Sequence, residues 1–360
     1  MTPLSPKIRV LIVEDSPVAV ALLKRELAKA SDIEVVGTAR HGREALEMLA
    51  TAHPDVVCTD YHMPVMDGLE LTREIIARHP LPILVLSVSV EEGSVNVFNL
   101  LNAGALDFIS KPNLQSESTY AALSSQLANK IRILSGVRVL RRLTRPKPHT
   151  ETPGRRLFSP DLNSPVRLIV IGASTGGPQA LHSILPQLPA GFRAPVVCIQ
   201  HISEGFLGGL VQWLDESSPL NVRIARCGDT PSSGTVSFPQ EGTHLMFDDT
   251  GKFLLSRGQP LGGHRPSVTV TMRSAAERYG SSVVGVLLTG MGSDGAEGMA
   301  DIVKAGGVTI AQDEASSMIF GMPRQAIERG AAMHVLPLND IALALVRLQN
   351  CGLKRNGASG

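Results

Sequence analysis

Short aliphatic runs alternate with amphipathic stretches along the first 110 residues. Ile8 to Val13, Ile33 to Val36, Val56 to Cys58, Ile83 to Leu86 and Ala105 to Ile109 are each brief and almost continuously apolar. That pattern predicts strands buried on both faces. Pro17 to Ala30 sets Val18, Leu22, Leu23 and Leu27 on one side, and the stretches around Ala45 to Leu49, Leu69 to Ile76 and Val95 to Leu101 show similar spacing. These predict helices. Five strands alternating with helices imply a parallel sheet covered on both faces.

A second alternation begins near residue 166. Leu168 to Ile171, Val196 to Ile199, Val283 to Leu288 and Val308 to Ala311 predict strands. Ser267 to Arg278, Gly295 to Lys304, Pro323 to Glu328 and a stretch through Leu181 and Leu185 predict helices. A glycine- and proline-rich middle, 228–263, holds short alternating runs at Thr235 to Phe238 and Lys252 to Leu255, which suggest hairpins or edge strands. The expected architecture is therefore α/β twice over. A (βα)5 domain over 1–137 precedes a mainly parallel, doubly wound α/β domain with a β-rich insertion over 166–350. Between them, 138–165 carries seven basic residues, two acidic ones and five prolines. Prolines cannot continue a helix, so this stretch reads as a linker, with a docking strip for an acidic partner or for the neighbouring domain as the other reading. Residues 351–360 read as a flexible tail.

Charge and composition remove several function classes. With 34 basic and 33 acidic residues the net charge is +1, and aromatics make up 4%. Neither a broad positive field nor stacking platforms for nucleic acid are indicated. The longest apolar stretches, such as Val283 to Leu288, fall far short of a membrane span, so no insertion is expected. Met1 to Arg9 lacks an apolar core behind a basic end, so no export is expected. The four cysteines (Cys58, Cys198, Cys227 and Cys351) are scattered without a CxxC. They read as reduced thiols, and a cytoplasmic protein is expected.

Charged groups gather at predicted strand ends in the first half. Glu14 and Asp15 follow the first strand, Asp60 the third and Lys111 the fifth, with the Ser87 hydroxyl after the fourth. Ligands of open parallel sheets collect beyond the carboxyl ends of the strands. Three carboxylates together repel unless a cation joins them, and a hard ion such as Mg²⁺ suits oxygen ligands. Lys111 adds a point charge fit for a phosphoryl oxygen. With DYHMPVMDG (60–68) and Lys111–Pro112, residues 5 to 135 resemble a response-regulator receiver domain of flavodoxin-like strand order 2-1-3-4-5. The resemblance implies Asp60 as phosphoacceptor, Glu14, Asp15 and Asp60 as Mg²⁺ ligands, and Lys111 as a phosphoryl contact. It also implies Ser87 and Phe108 as switch residues. Glu14 stands where Asp is commoner in that family.

In the second half, Gly172-Ala173-Ser174-Thr175-Gly176 fits G-x-S-x-G between a strand and a helix, the context of a nucleophile elbow. A phosphate-cradling turn uses the same glycines, and the turn alone leaves both readings open. A nucleophilic serine needs a base and a group to orient it. His201 follows the strand VVCIQ, and Asp294 follows the strand VVGVLL within TGMGSDG, so all three belong to strand ends of one sheet edge. His182, inside a helix, and His244 and His264, in the β-rich insertion, are less well placed. Gly290 and Gly292 flank Met291, whose N–H becomes a candidate oxyanion donor.

With GASTGG (172–177), QH (200–201), RPSV (265–268), LLTGMGSDGA (287–296) and GMPRQA (321–326), residues 166 to 350 resemble the catalytic domain of the chemotaxis protein-glutamate methylesterases. The resemblance implies Ser174 as nucleophile, His201 as base, Asp294 as its orienting partner and Met291 as oxyanion contributor. It implies phosphorylation-activated hydrolysis of glutamate γ-methyl esters on methyl-accepting chemoreceptors, with deamidation of receptor glutamines, in sensory adaptation. A chemotaxis histidine kinase would supply the phosphoryl group, with Mg²⁺ for that step and no cofactor for ester hydrolysis. Thr269 follows RPSV where Asp is common, which bears on a hydrogen bond near the site. The stretch SFPQEGTH (237–244) also departs from the family's usual loop. The other reading is a receiver-controlled nucleotide- or phosphate-binding module that uses the GASTGG loop without hydrolysis.

Overall fold

The aliphatic runs pair into two separate sheets. In the computed structural model the described residues are 6–87, 94–111, 117–137, 139 and 164–351. Chain contacts divide the protein into two units, Met1–Glu151 and Thr152–Gly360. The linker expected over 138–165 and the tail expected over 351–360 lie almost wholly outside the described residues.

The first unit runs β1 (Ile8–Val13), α1 (Pro17–Leu27), β2 (Ile33–Ala39), α2 (Gly42–Ala52), β3 (Val56–Asp60), α3 (Gly68–Arg78), β4 (Ile83–Ser87), α4 (Ser94–Ala103), β5 (Asp107–Ser110) and α5 (Glu117–Ser135). The sheet order is β2-β1-β3-β4-β5, with every pair parallel. Val10 through Val13 and Ile83 through Leu86 are buried because helices cover both faces. Helices α1 and α5 pack together on one side, and α2, α3 and α4 on the other. The flavodoxin-like order expected from the sequence is the order found.

The second unit runs β6 (Leu168–Ala173), α6 (Gly177–Ile184), β7 (Val196–Gln200), α7 (Leu207–Ser217), β8 (Asn221–Ile224), β9 (Thr235–Phe238), β10 (His244–Phe247), β11 (Phe253–Ser256), α8 (Val268–Tyr279), β12 (Val283–Leu287), α9 (Ala296–Lys304), β13 (Val308–Gln312), α10 (Met322–Glu328), β14 (His334–Leu336) and α11 (Leu338–Cys351). Seven strands form one parallel sheet in the order β14-β13-β12-β6-β7-β9-β8. Thr235–Phe238, expected as a hairpin or edge strand, instead enters this sheet between β7 and β8. β10 and β11 form an antiparallel hairpin, and β10 packs on α8. From β6 the chain moves to β7 on one side, and it returns at β12 to the other side of β6. The strand order therefore reverses at β6, which opens a crevice at the carboxyl end of that strand.

Two glycines let α8 reach that crevice. A Cβ on Gly172 would meet Val268 Cγ1 at 2.3 Å, and one on Gly295 would meet the same atom at 2.8 Å. Val268 is fully buried and is the first residue of α8. The start of α8 is thereby seated against the end of β6 and the loop after β12. Gly172→Ala is expected to lower stability by about 1–3 kcal/mol through overpacking. Denaturant titration of Gly172→Ala, Val268→Ala and the double variant checks this. The double variant should lose clearly less than the two single losses combined, and simple additivity would reject the contact as the cause.

Candidate active site

Ser174, His201 and Asp294 come from the ends of three neighbouring strands: β6, β7 and β12 respectively. Backbone bonds close the ends together. The His201 N–H donates to the Ala173 carbonyl at 3.0 Å and the Ser174 N–H to the Thr289 carbonyl at 3.1 Å. The Gln200 amide nitrogen donates to the carbonyls of both Ser174 and His201, each at 2.8 Å. One buried side chain thus staples the serine turn to the histidine.

The Asp294 carboxylate lies under the amino end of α8. Its Oδ1 accepts from the Ser267 hydroxyl at 2.8 Å and the Thr269 N–H at 3.0 Å. Its Oδ2 accepts from the Val268 N–H and from His201 Nε2, both at 2.8 Å. Burial by itself would raise its pKa. The hydrogen bond and charge of His201, the Thr269 amide and the Ser267 hydroxyl outweigh that and hold it well below the usual carboxylate range. An ionised carboxylate can only accept, so the proton of neutral His201 sits on Nε2. The lone pair is then on Nδ1, which is buried and has no hydrogen-bond partner among the described residues. Ser174 makes no hydrogen bond to this nitrogen here; such contacts often tighten only when substrate is bound. Ser174 is partly exposed at the mouth of the crevice.

Opposite the serine, a Cβ on Gly290 would fall 2.7 Å from Ser174 Cβ, so the loop after β12 runs directly against the turn. The Gly290 carbonyl accepts the N–H groups of Met322 and Gly321. The N–H of Met291 pairs with nothing among the described residues, and its side chain is half exposed. Thr269 stands where an aspartate was expected, yet its position is fully used. It gives its N–H to Asp294, and its hydroxyl accepts the Gly295 N–H at 2.7 Å.

The first unit has its own constellation at the strand ends. Ligand oxygens of Glu14, Asp15 and Asp60 lie within 4.8 Å of one another. Lys111 Nζ sits 2.6 Å from Glu14 and 2.8 Å from Asp60. Burial, and secondarily the Asp60 charge, raise the Glu14 pKa against the opposing pull of Lys111. Three oxygen donors with one lysine leave an excess of negative charge, a donor set that fits a hard divalent cation. Ser87 is buried at the end of β4, and its carbonyl accepts the Lys111 N–H. Phe108 is buried edge-on to Phe98, with ring centroids 5.7 Å apart.

The CheB methylesterase family profile matches residues 169–345, and that of the response regulator receiver domain matches residues 10–122. A protein-glutamate methylesterase/protein-glutamine glutaminase of Symbiobacterium thermophilum is 40% identical over 349 residues, which cover 94% of this chain and 96% of the relative. The chain belongs to the CheB methylesterase family. A second relative of that description, from Anaeromyxobacter dehalogenans, is 43% identical over 342 residues, covering 95% of this chain and 97% of its own. The crystal structure of the Thermotoga maritima CheB methylesterase catalytic domain superposes with a TM-score of 0.50 at 40% identity, covering 51% of this chain and 98% of that one.

Sequence reasoning about this CheB-family chain missed three residues of the site. Gln200 and Ser267 stood inside quoted motifs, QH and RPSV, but nothing in their spacing showed the partners they take. His264 was set aside with the β-rich insertion, yet its ring lies flat on that of His201, with centroids 4.0 Å apart and planes 2° from parallel. His182 takes its own partner, while His244 braces Ser267, a donor to Asp294. The former stacks on Trp213, and the latter uses both ring nitrogens on Ser267 N–H and the Gln259 carbonyl.

Because the Asp294 pKa is lowered on folding, its contribution to stability is present above the ordinary carboxylate pKa and is lost as pH falls through the folded value. Asp294→Asn is therefore expected to cost about 3 kcal/mol at pH 7, since it sets an NH2 against a site built of donors. Unfolding curves of the two proteins measured from pH 7 downward should begin to converge below about pH 4 and keep closing as pH falls further. A gap that stays constant with pH would contradict the assignment.

Proposed function

We propose that this chain removes methyl groups from glutamate γ-methyl esters on chemoreceptor cytoplasmic helices and deamidates receptor glutamines, under control of phosphorylation at Asp60. The observation that carries the chemistry is the fixed tautomer of His201. Asp294 holds Nε2–H and leaves Nδ1 as the buried base atom of a histidine whose backbone is bonded to the carbonyl just before Ser174. In this reading Ser174 Oγ attacks the ester carbonyl carbon as His201 Nδ1 takes its proton. The oxyanion accepts the Met291 N–H. Nδ1–H then protonates the departing methoxide, which leaves as methanol. Water, deprotonated by the same nitrogen, cleaves the acyl-serine to release the glutamate carboxylate and restore Ser174. A glutamine side chain follows the same course with ammonia leaving, a harder departure that depends more on the acid form of His201. The esterase chemistry asks for no cofactor in this reading. A phosphate-cradling role for GASTGG leaves the His201–Asp294 pair without a purpose.

Residues 1–137 act as the receiver, 138–165 as a linker and 166–350 as the esterase. Asp60 is the phosphoacceptor. Glu14, Asp15 and Asp60 would hold Mg²⁺, which neutralises charge while the phosphoryl group is transferred. Lys111 contacts the phosphoryl oxygens, and Ser87 and Phe108 report the new charge by rearranging at the ends of β4 and β5. A chemotaxis histidine kinase is the phosphodonor. No described helix is long and apolar enough to cross a membrane. Action on the cytoplasmic helices of receptors calls for a cytoplasmic location in this reading.

Methanol release from methylated receptor membranes tests both halves. Ser174→Ala should lower turnover by at least about 10³-fold while the folded state persists. Turnover near the wild-type level would reject the nucleophile. A small phosphodonor with Mg²⁺ should stimulate the wild type but not Asp60→Ala, whose unstimulated rate should stay at the wild-type basal level. Equal stimulation of both would reject Asp60.

A further inference from the structure

We infer that His264 is a positioning residue that sets the ring plane of His201 and so the direction of its Nδ1. This rests on the esterase reading of the same site. The His201–Asp294 hydrogen bond fixes one point of the imidazole. A ring held at one nitrogen can still pivot about that bond, and Nδ1 has no hydrogen-bond partner among the described residues. A second ring lying flat on the imidazole restrains that rotation. His264 supplies that contact, with centroids 4.0 Å apart and planes 2° from parallel.

The segment around His264 is built to present it. Leu261 and His264 exchange backbone bonds in both directions, at 3.1 and 3.0 Å. The two residues between them, Gly262 and Gly263, have φ of +58° and +85°. Two successive positive φ angles mark a type I′ turn, which favours glycine at both central positions. A Cβ at either glycine would meet nothing within 4 Å, so backbone conformation and not crowding accounts for them. Arg265 ties the turn down through bonds to the carbonyls of Arg257 and Gly258. Three residues past His264, Ser267 and the amides after it grip Asp294. One short segment, 261–269, therefore supplies the ring that covers the face of His201 and the donors that hold its carboxylate partner.

The stack also suits the charge that His201 acquires. When Nδ1 takes the serine proton, His201 becomes a cation against the face of an aromatic ring, an attractive arrangement only while that ring is neutral. Burial, followed by the charge of His201, lowers the His264 pKa; Asp294 pulls the other way, and these two are the ionisable groups acting on it. The direction of this shift favours the neutral form of His264 as its neighbour charges.

The test measures kcat and KM for methanol release by the full-length protein on methylated receptor membranes. His264→Ala should lower kcat about 10- to 100-fold with KM within about twofold, the pattern of a misaligned base. His264→Phe, which keeps a flat ring but no ring nitrogen, should restore kcat to within about fivefold of wild type. Gly263→Val keeps the His264 side chain but strains the turn that presents it, and should also lower kcat with KM held. Thermal unfolding reports folding of each variant, and the Phe and Val variants decide the matter should the Ala variant not fold. Phe as poor as Ala, a loss confined to KM, or wild-type kcat in the Ala or Val variant would each overturn the inference. Wild-type protein that releases no methanol, or Ser174→Ala that matches it, would instead overturn the esterase reading.

Discussion

A single buried carboxylate governs the geometry of the second unit. Asp294 is nearly removed from water, and a charge in that position is tolerable only if its acceptor sites are filled. Four donors fill them: two amides and a hydroxyl at the start of α8, and the ring of His201. The helix end contributes more than its hydrogen bonds, because its positive dipole end faces the negative charge. Once the carboxylate is held ionised, the imidazole has no choice of tautomer. The location of the base atom on Nδ1 is thus a consequence of how α8 begins.

That beginning is in turn fixed by packing. Val268 has to enter the space left by missing side chains at Gly172 and Gly295. The first glycine opens the serine turn, and the second follows Asp294 directly. Residues 174 and 294 are therefore joined not by the sheet alone but by one helix start wedged between their neighbouring glycines. The sheet supplies the coarse placement, since β12, β6 and β7 are neighbouring parallel strands and the winding order reverses at β6. The helix supplies the fine placement, and the stacked ring of His264 the last angular constraint.

Periodicity made the strands of both sheets legible where they are fully buried, because a strand covered on both faces reads as an unbroken aliphatic run. It failed for Asn221–Ile224 and His334–Leu336, whose burial is partial and whose composition is mixed. It also misplaced Thr235–Phe238, since alternation within four residues cannot distinguish an antiparallel hairpin from a parallel insertion beside an existing strand. Ser174, His201 and Asp294 were legible through strand-end logic and family resemblance together. His264 was not, because stacking leaves no trace in spacing, and a histidine after two glycines in an insertion looks like loop. Thr269 shows the opposite case. A departure from the expected residue can leave the local hydrogen bonding complete, because a hydroxyl accepts the Gly295 N–H as a carboxylate would.

The two units place carboxylates at the same kind of location, the carboxyl ends of parallel strands, and reach opposite electrostatic states. Around Asp294 the donors are sufficient, so its charge is fixed and the base beside it is held in one orientation. Around Asp60 they are not. Two further carboxylates share the space with one lysine, and burial pushes Glu14 toward its neutral form. A site with unmet negative charge responds strongly to any added cation or phosphoryl group, because each alters the balance of repulsion that the protein alone leaves unresolved. A site whose charge is fully met responds weakly. Sensitivity and constancy are thus assigned to different units by the number of donors each loop supplies, within one shared architecture.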